Sequence, residues 1–436
     1  MSLLESSLAA SRTWARVSDF FEVTRKPRSL VLSAHATVPF VPMEAVPQGG
    51  QYEPRYDVKP IGQLTSGTYF ERGDLLIAKI TPSFENGKQA LAAELPAPFG
   101  YATTEVIPLR PKSTEHDKRL LFFYLLHPEI RSFVAERMEG STGRQRVPES
   151  VLLELPYPRL PTDEQRSIAD ILERVCHAIE LEGQSAKSAV RLKEAAMRVL
   201  FARGLRGEPQ KETEIGLIPE SWSAEPLRAH HSVASGGTPS RGNPAYWVGG
   251  TIPWVKTTEV DYRLIGGTQE HITPAGLAES AAKLLPAGTL LLAMYGQGVT
   301  RGRVAILGID AACNQACAAI RAIDDRIDGK YLYHYLVSRY GEIRQLAHGG
   351  QQQNLNLDIV RDLPVVFPTD KAEQNDIVAI LDALERKIDL HQQKRVVLED
   401  LFEALLHKLM TGEIAVDDLD LSALDRATVT AEEVTV

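Results

Sequence analysis

The chain has 436 residues, 44% of them hydrophobic and 24% charged, with 48 Lys and Arg against 57 Asp and Glu for a formal net charge of -9. This length predicts two or three domains at roughly 150 residues each, and the composition excludes a disordered or fibrous chain. No apolar run approaches the ~20 residues of a membrane span, no basic flank precedes an apolar run at the N-terminus, and three cysteines, Cys176, Cys313 and Cys317, exclude a paired disulfide framework, so a cytoplasmic protein without a membrane partner is expected.

Charge is unevenly spread. Residues 1–160 carry 19 cationic against 18 acidic side chains, 161–213 carry 9 against 9, and 214–368 carry 13 against 14, whereas 369–436 hold 7 against 16. The deficit therefore lies at the C-terminal end. A neutral module can still gather its cations on one face, as phosphate binding requires.

In chain order, residues 1–160 read as a mixed domain. Trp14 leads, LLIAKI at 75–80 reads as a strand, and 118–138 as a helical stretch. Two polar loops stand out: Lys79, Thr81, Ser83, Asn86 and Lys88, then Ser141 to Arg146 with Arg144 and Gln145. Residues 161–204 form a long helix with Ile168, Leu172, Val175 and Ile179 on one face. A polar patch at Gly183, Gln184 and Ser185 is expected to interrupt it before Leu192, Ala196, Val199 and Leu200 resume.

A polar linker is expected at 205–220, then a second mixed domain at 221–367. Here 290–295 and 304–309 read as strands and 330–348 as a helical stretch, with polar loops holding Tyr295, Gln297, Thr300, Arg301 and Arg303, and then Gln351, Gln352, Gln353 and Asn354. Residues 368–412 form a second long helix. Its seam of Ile377, Leu381, Leu384, Ile388, His391, Arg395, Leu398, Phe402, Leu405 and Leu409 alternates steps of four and three, the spacing of a coiled coil. Residues 413–436 are an acidic tail.

The two halves are one unit repeated. Glu164-Gln165, Ile168, Ile171 and Leu172 return as Glu373-Gln374, Ile377, Ile380 and Leu381 at an offset of 209 residues, and Trp14 returns as Trp222. GDLLIAKITPSFENGK at 73–88 resembles GTLLLAMYGQGVTRGR at 288–303, and 141–160 resembles 348–367. The first copy carries four extra residues within its helix, about one turn. The expected fold class is α+β, two mixed α/β domains and two long helices, each too amphipathic to stand alone, which pack on each other.

Catalytic signatures are missing. The sequence has no phosphate loop, no His-Glu-x-x-His and no Gly-x-Ser-x-Gly elbow. Asn243-Pro-Ala-Tyr246 departs from an amino-methyltransferase motif at Ala245, and no glycine-rich cofactor loop precedes it. Cys313 and Cys317 lack the further ligands of a structural zinc site, so no metal is expected. What remains is the recurrence of polar loops at matching places in diverged units. Arg reads guanine and Gln or Asn reads adenine through base edges, and the recurrence points to a binding face with two different targets.

Order, spacing and duplication together resemble the specificity subunit of type I restriction-modification enzymes over nearly the whole chain. The segments that carry the resemblance are IPESWSAEPLRAHHSVASGGTPS and YWVGGTIPWVKTTEV in the second unit, FERGDLLIAKITPSFENGK and GSTGRQRVP in the first, and the P-x-x-E-Q helix start after each. The resemblance implies two target recognition domains, each reading half of a bipartite site in double-stranded DNA, separated by a pair of antiparallel helices that set the spacing. Those helices, through Ile168, Leu172, Val175, Ile377, Leu381, Leu384, Ile388, Leu398, Phe402 and Leu405, would dock two methyltransferase subunits. S-adenosylmethionine would be held there and adenine methylated. Endonuclease and translocase subunits, with ATP and Mg, would complete the restriction form, and this chain itself would hold no cofactor and have no catalytic residue. The residues expected to face DNA are Lys79, Thr81, Lys88, Arg144, Gln145 and Arg146 in the first domain. In the second they are Gln297, Arg301, Arg303 and Gln351 to Asn354, with Lys256, Thr257 and Thr258 as a third group. Trp14, Trp222 and Trp254 read as core anchors. Two other readings remain open: a specificity subunit whose single partner both cuts and methylates, and a coiled-coil adaptor that binds proteins rather than DNA.

Overall fold

The computed structural model describes residues 12–50, 52–141, 143–296, 299–346 and 354–420. The chain divides into two compact units, residues 1–185 with 391–436, and residues 186–390. In chain order the main helices are α1 (Lys118–Tyr124), α2 (Pro128–Ala135), α3 (Thr162–Arg203), α4 (Gly329–Ser338), α5 (Tyr340–Gln345) and α6 (Lys371–Thr411).

In the first unit, Phe21–Val23, Val106–Pro111, Leu75–Ala78 and Gln89–Leu91 lie side by side as one antiparallel sheet. A second sheet places Asp57–Pro60, Thr37–Val41, Phe99–Ala102 and Thr68–Glu71 in that order, with Thr37–Val41 parallel to Phe99–Ala102. Because successive side chains of a strand point to opposite faces, Leu75 and Ile77 join Phe21, Leu109 and the α1 residues Leu120 to Tyr124, while Leu76 packs with Val41, Phe70 and Val106. Burial on both faces is why this strand reads as a continuous apolar run. The first half of α3 runs antiparallel to the last half of α6: Ile168, Leu172 and Val175 share a core with Leu405, Leu406, Leu409 and Met410, and at the other end Glu182 accepts from His391.

The second unit repeats the plan with different sheets. His231–Ser235, Cys317–Ala322, Leu290–Ala293, Val304–Leu307 and Leu264–Ile265 form one sheet, and Glu270–Ile272, Ile252–Val255 and Ala312–Cys313 another. Met197, Leu200 and Phe201 of α3 share a core with Ile377 and Leu381 of α6, and with Trp222, Tyr331 and Tyr335. The pairing is again antiparallel: Lys193 meets Glu385, and the Leu205 amide donates to Glu373.

The repeated Glu-Gln explains how each long helix is seated. Gln165 Oε1 accepts the Asp117 amide at 2.9 Å and its Nε2 donates to the Leu160 carbonyl at 2.8 Å. Gln374 does the same for the Asp328 amide at 2.7 Å and the Pro368 carbonyl at 2.8 Å. Asp117 and Asp328 in turn cap α1 and α4. One buried amide thus ties the start of the long helix to the start of the short one and to the backbone just ahead of the long helix, in both units. Each unit is also clasped at its base by a two-stranded ladder, Trp14–Arg16 with Pro156–Pro158 and Trp222–Pro226 with Pro364–Pro368.

Several expectations need correction. The patch at Gly183 to Ser185 does not interrupt α3, which is helical from Thr162 to Arg203; Gln184 donates to Glu180 one turn back at 3.1 Å. Leu192 and Val199 are each 55% exposed and stand outside the seam, whereas Ala189, Met197 and Leu200 are buried. At 3.6 residues per turn the apolar face drifts away from a seven-residue pattern. Residues 118–138 form two helices, because Pro128 starts a new one, capped by His127 Nδ1. The stretch expected as a linker contains a hairpin, Gln210–Thr213 with Gly216–Pro219.

The seam residues assigned to partner docking are turned inward. Ile168, Leu172, Val175, Ile377, Leu381 and Leu405 are buried within their own units, and Leu384, Leu398 and Phe402 pack partly against the same cores. Ile388 is half-buried. An amphipathic helix spends its apolar stripe on its own core, and away from that stripe Val396, Val397 and Leu401 of α6 are exposed.

Candidate nucleic-acid interface

In the first unit the two polar loops are laced together by backbone hydrogen bonds. The Val147 amide donates to the Lys79 carbonyl at 2.8 Å, and the Thr81 amide donates to the Gln145 carbonyl at 3.0 Å. A β-bridge joins Ile80 to Arg146. Lys79, Thr81, Gln145 and Arg146, well separated in sequence, therefore form one edge.

Their side chains divide by role. Arg146 donates from Nε and Nη2 to the two Glu105 oxygens at 2.8 and 2.7 Å, a bidentate pair that holds the Glu105 carboxyl below its usual range. Thr81 Oγ1 donates to Glu85 at 2.9 Å. Lys88 is turned inward, its ammonium donating to the Met43 carbonyl at 2.9 Å. Arg144 is exposed, and its side chain makes no hydrogen bond or ion pair among the described residues. It is the cation of this edge best placed to meet a polyanion.

The second unit repeats the lacing at the equivalent position. The Leu355 amide donates to the Met294 carbonyl at 3.2 Å, matching Val147 to Lys79, so the exposed Asn354 lies beside the end of the strand Leu290–Ala293. Gln297, Gln351, Gln352 and Gln353 lie outside the described residues. Arg301 is half-buried. Arg303 is ion-paired with Asp261 and packs over the Tyr262 ring at 5.4 Å, so its charge is spent within the unit.

The third group is only partly available. Thr258 is exposed, but Thr257 is buried and donates to Asn314 Oδ1 at 2.9 Å; its hydroxyl ties a turn to the loop that follows the strand Ala312–Cys313, and the expectation that it faces DNA is corrected. Lys256 pairs with Glu270 at 3.0 Å, and Glu270 also holds Arg241. Arg241 lies over Trp247 at 3.8 Å from the ring centroid. Hydrogen bonds from Arg241, and then from Lys256, keep the Glu270 carboxyl below its usual range. Sequence reasoning missed Arg241 and Glu105 because their roles depend on partners 29 and 41 residues away.

His334, Asp382 and Glu385 converge with ligand atoms within 4.8 Å of one another. Lys330 already meets Asp382 at 2.7 Å, and Lys193 meets Glu385. The cluster is neutralised by its own lysines and docks α4 on α6, as Arg119 with Asp170 and Glu173 docks α1 on α3. Cys313 and Cys317 are buried, and their mutual hydrogen bond, with burial, pushes the Cys313 thiol far up.

Residues 12–189 and 231–400 match the type I restriction modification DNA specificity domain. The chain belongs to this family. A relative in Escherichia coli, the type I restriction enzyme EcoEI specificity subunit, is 31% identical over 177 residues, 40% of this chain and 30% of the relative. The MjaVIII specificity subunit of Methanocaldococcus jannaschii is 22% identical over 329 residues, 74% of this chain and 76% of the relative. The chain spans less than half the length of several of these curated relatives. The crystal structure of the type I restriction-modification S subunit from M. genitalium shares the fold, with a TM-score of 0.57 at 14% identity over 92% of this chain and 97% of that one. The specificity domain thus occurs twice here, and each copy contains one laced pair of loops. No helix among the described residues is long and apolar enough to cross a membrane.

Proposed function

We propose that this chain is the sequence-reading subunit of a type I restriction-modification complex, and that its two specificity domains each read one half of a bipartite site in double-stranded DNA. The observation that carries this reading is the repeated lacing of two polar loops, with Arg144 exposed on the first edge and Asn354 on the second. Paired loops offer side chains to base edges while backbone amides and arginines meet phosphates.

In this reading the chain has no chemistry of its own. Two methyltransferase subunits hold S-adenosylmethionine and methylate adenine, and endonuclease and translocase subunits with ATP and Mg join for restriction. The outward faces of the helices, including Val396, Val397 and Leu401, replace the buried seam as the docking surface, and the helices set the gap between half-sites.

Methylome sequencing of a strain expressing the complex tests the reading. A bipartite motif is expected, and Arg144→Ala should relax one half of it by ~1–3 kcal/mol of base discrimination if the guanidinium reads a base. Methyl transfer to DNA by the purified chain alone would overturn the division of labour.

A further inference from the structure

Each laced edge turns through a left-handed glycine, Gly87 with φ 76° and Gly302 with φ 88°, and behind each glycine lies an arginine from a short helix. In the first unit Arg131 of α2 donates from Nη1 to the Phe84 carbonyl and from Nη2 to the Leu125 carbonyl, both at 3.0 Å. A Cβ on Gly87 would come within 2.3 Å of Nη1, so the turn is seated directly on the guanidinium. Arg131 pairs with no carboxylate among the described residues, and burial pushes it down to about 10. This half-buried cation has no carboxylate to neutralise it; two carbonyls from two different segments accept from it instead, and it lies over the Phe84 ring at 5.8 Å.

In the second unit Arg344 of α5 donates to the Tyr340 hydroxyl, and that hydroxyl donates to the Val299 carbonyl. Gly302 packs on the same arginine, where a Cβ would lie 3.1 Å from Cγ. Both arginines end a Glu-Ile-Arg triplet, 129–131 and 342–344, whose isoleucine is buried in the core of its unit. The repeated helix therefore supports the repeated turn twice, once directly and once through a tyrosine.

We propose that Arg131 and Arg344 are positioning residues for target recognition, each holding the glycine turn of its own unit in the shape that reads one half-site. This rests on the reading of the laced loops as the DNA-facing edges. The residue following each glycine is fixed as well, Lys88 to the Met43 carbonyl and Arg303 to Asp261, so the turn is pinned from both sides.

The test uses the assembled methyltransferase complex. Methylation is compared on oligonucleotide duplexes carrying the cognate site or a single mismatch in either half. Arg131→Met, which removes the donors, should lower discrimination at the first half-site at least tenfold and leave the second unchanged. Tyr340→Phe and Arg344→Met should do the reverse. Equal loss at both halves, or loss of affinity without loss of discrimination, overturns the inference, because either is what a merely structural role predicts. Arg144→Ala separates this inference from the reading beneath it. If Arg144→Ala relaxes the first half-site and Arg131→Met does not, the positioning role fails and the loop reading stands; if neither does, the loop reading fails and the inference with it. Should Arg131→Met unfold, Tyr340→Phe, which keeps its ring, decides the matter at the second half-site, and unchanged discrimination there overturns the proposal.

Discussion

At the scale of single residues, two buried histidines oppose folding as the pH falls. His127 caps α2 through Nδ1 and meets His407 at 3.2 Å. Burial holds His127 down to about 4 and His231 likewise to about 4, from 6.5. Both must be neutral in the folded state, so their contribution is complete above pH 6.5 and is lost as pH falls toward 4. By linkage each histidine should cost about 2 kcal/mol between pH 7 and pH 5. Urea midpoints measured at those two pH values check the slope, and His231→Phe should remove one share of it. Residue identity alone did not reveal which cations are spent: Lys88 and Arg303 look like phosphate contacts until the Met43 carbonyl and Asp261, 45 and 42 residues away, are seen to hold them. The repeated Gln165 and Gln374 were legible as a motif, because their task of seating a helix is the same in both units.

At the scale of elements, pattern carried far but not to the last turn. Strands buried on both faces are visible as apolar runs, and the long helices by their periodicity. The seam was over-assigned because hydrophobicity marks what is buried without naming the partner: Ile168 and Leu172 meet their own unit rather than another subunit. The polar patch in α3 was misread because isolated glycine lowers helix propensity by only ~1 kcal/mol, which a 42-residue helix absorbs. Gly183 lies in that helix, and a methyl group added there would meet nothing within 4 Å. Gly183→Ala should therefore stabilise the chain by ~0.5–1 kcal/mol, read as a rise in thermal midpoint with methylation specificity unchanged.

At the scale of the whole molecule, duplication makes function separable. The net charge of -9 comes from the C-terminal end, so neither specificity domain is an acidic body that would repel DNA. Replacing residues 14–158 with the matching segment of another family member should change one half of the methylated motif and leave the other intact. A change in both halves with the complex assembled would contradict independent reading. The two ladders that clasp the units at their bases also have a mechanical meaning. In the second unit Trp222 pairs with Pro368 at one end of the ladder and Pro226 with Pro364 at the other, so the chain arrives and departs at the same end. Tension pulling these two departures apart loads the hydrogen bonds one at a time, as a zipper opens, rather than all together in shear. Under force the clasp therefore opens bond by bond from its Trp222–Pro368 end rather than resisting as a whole.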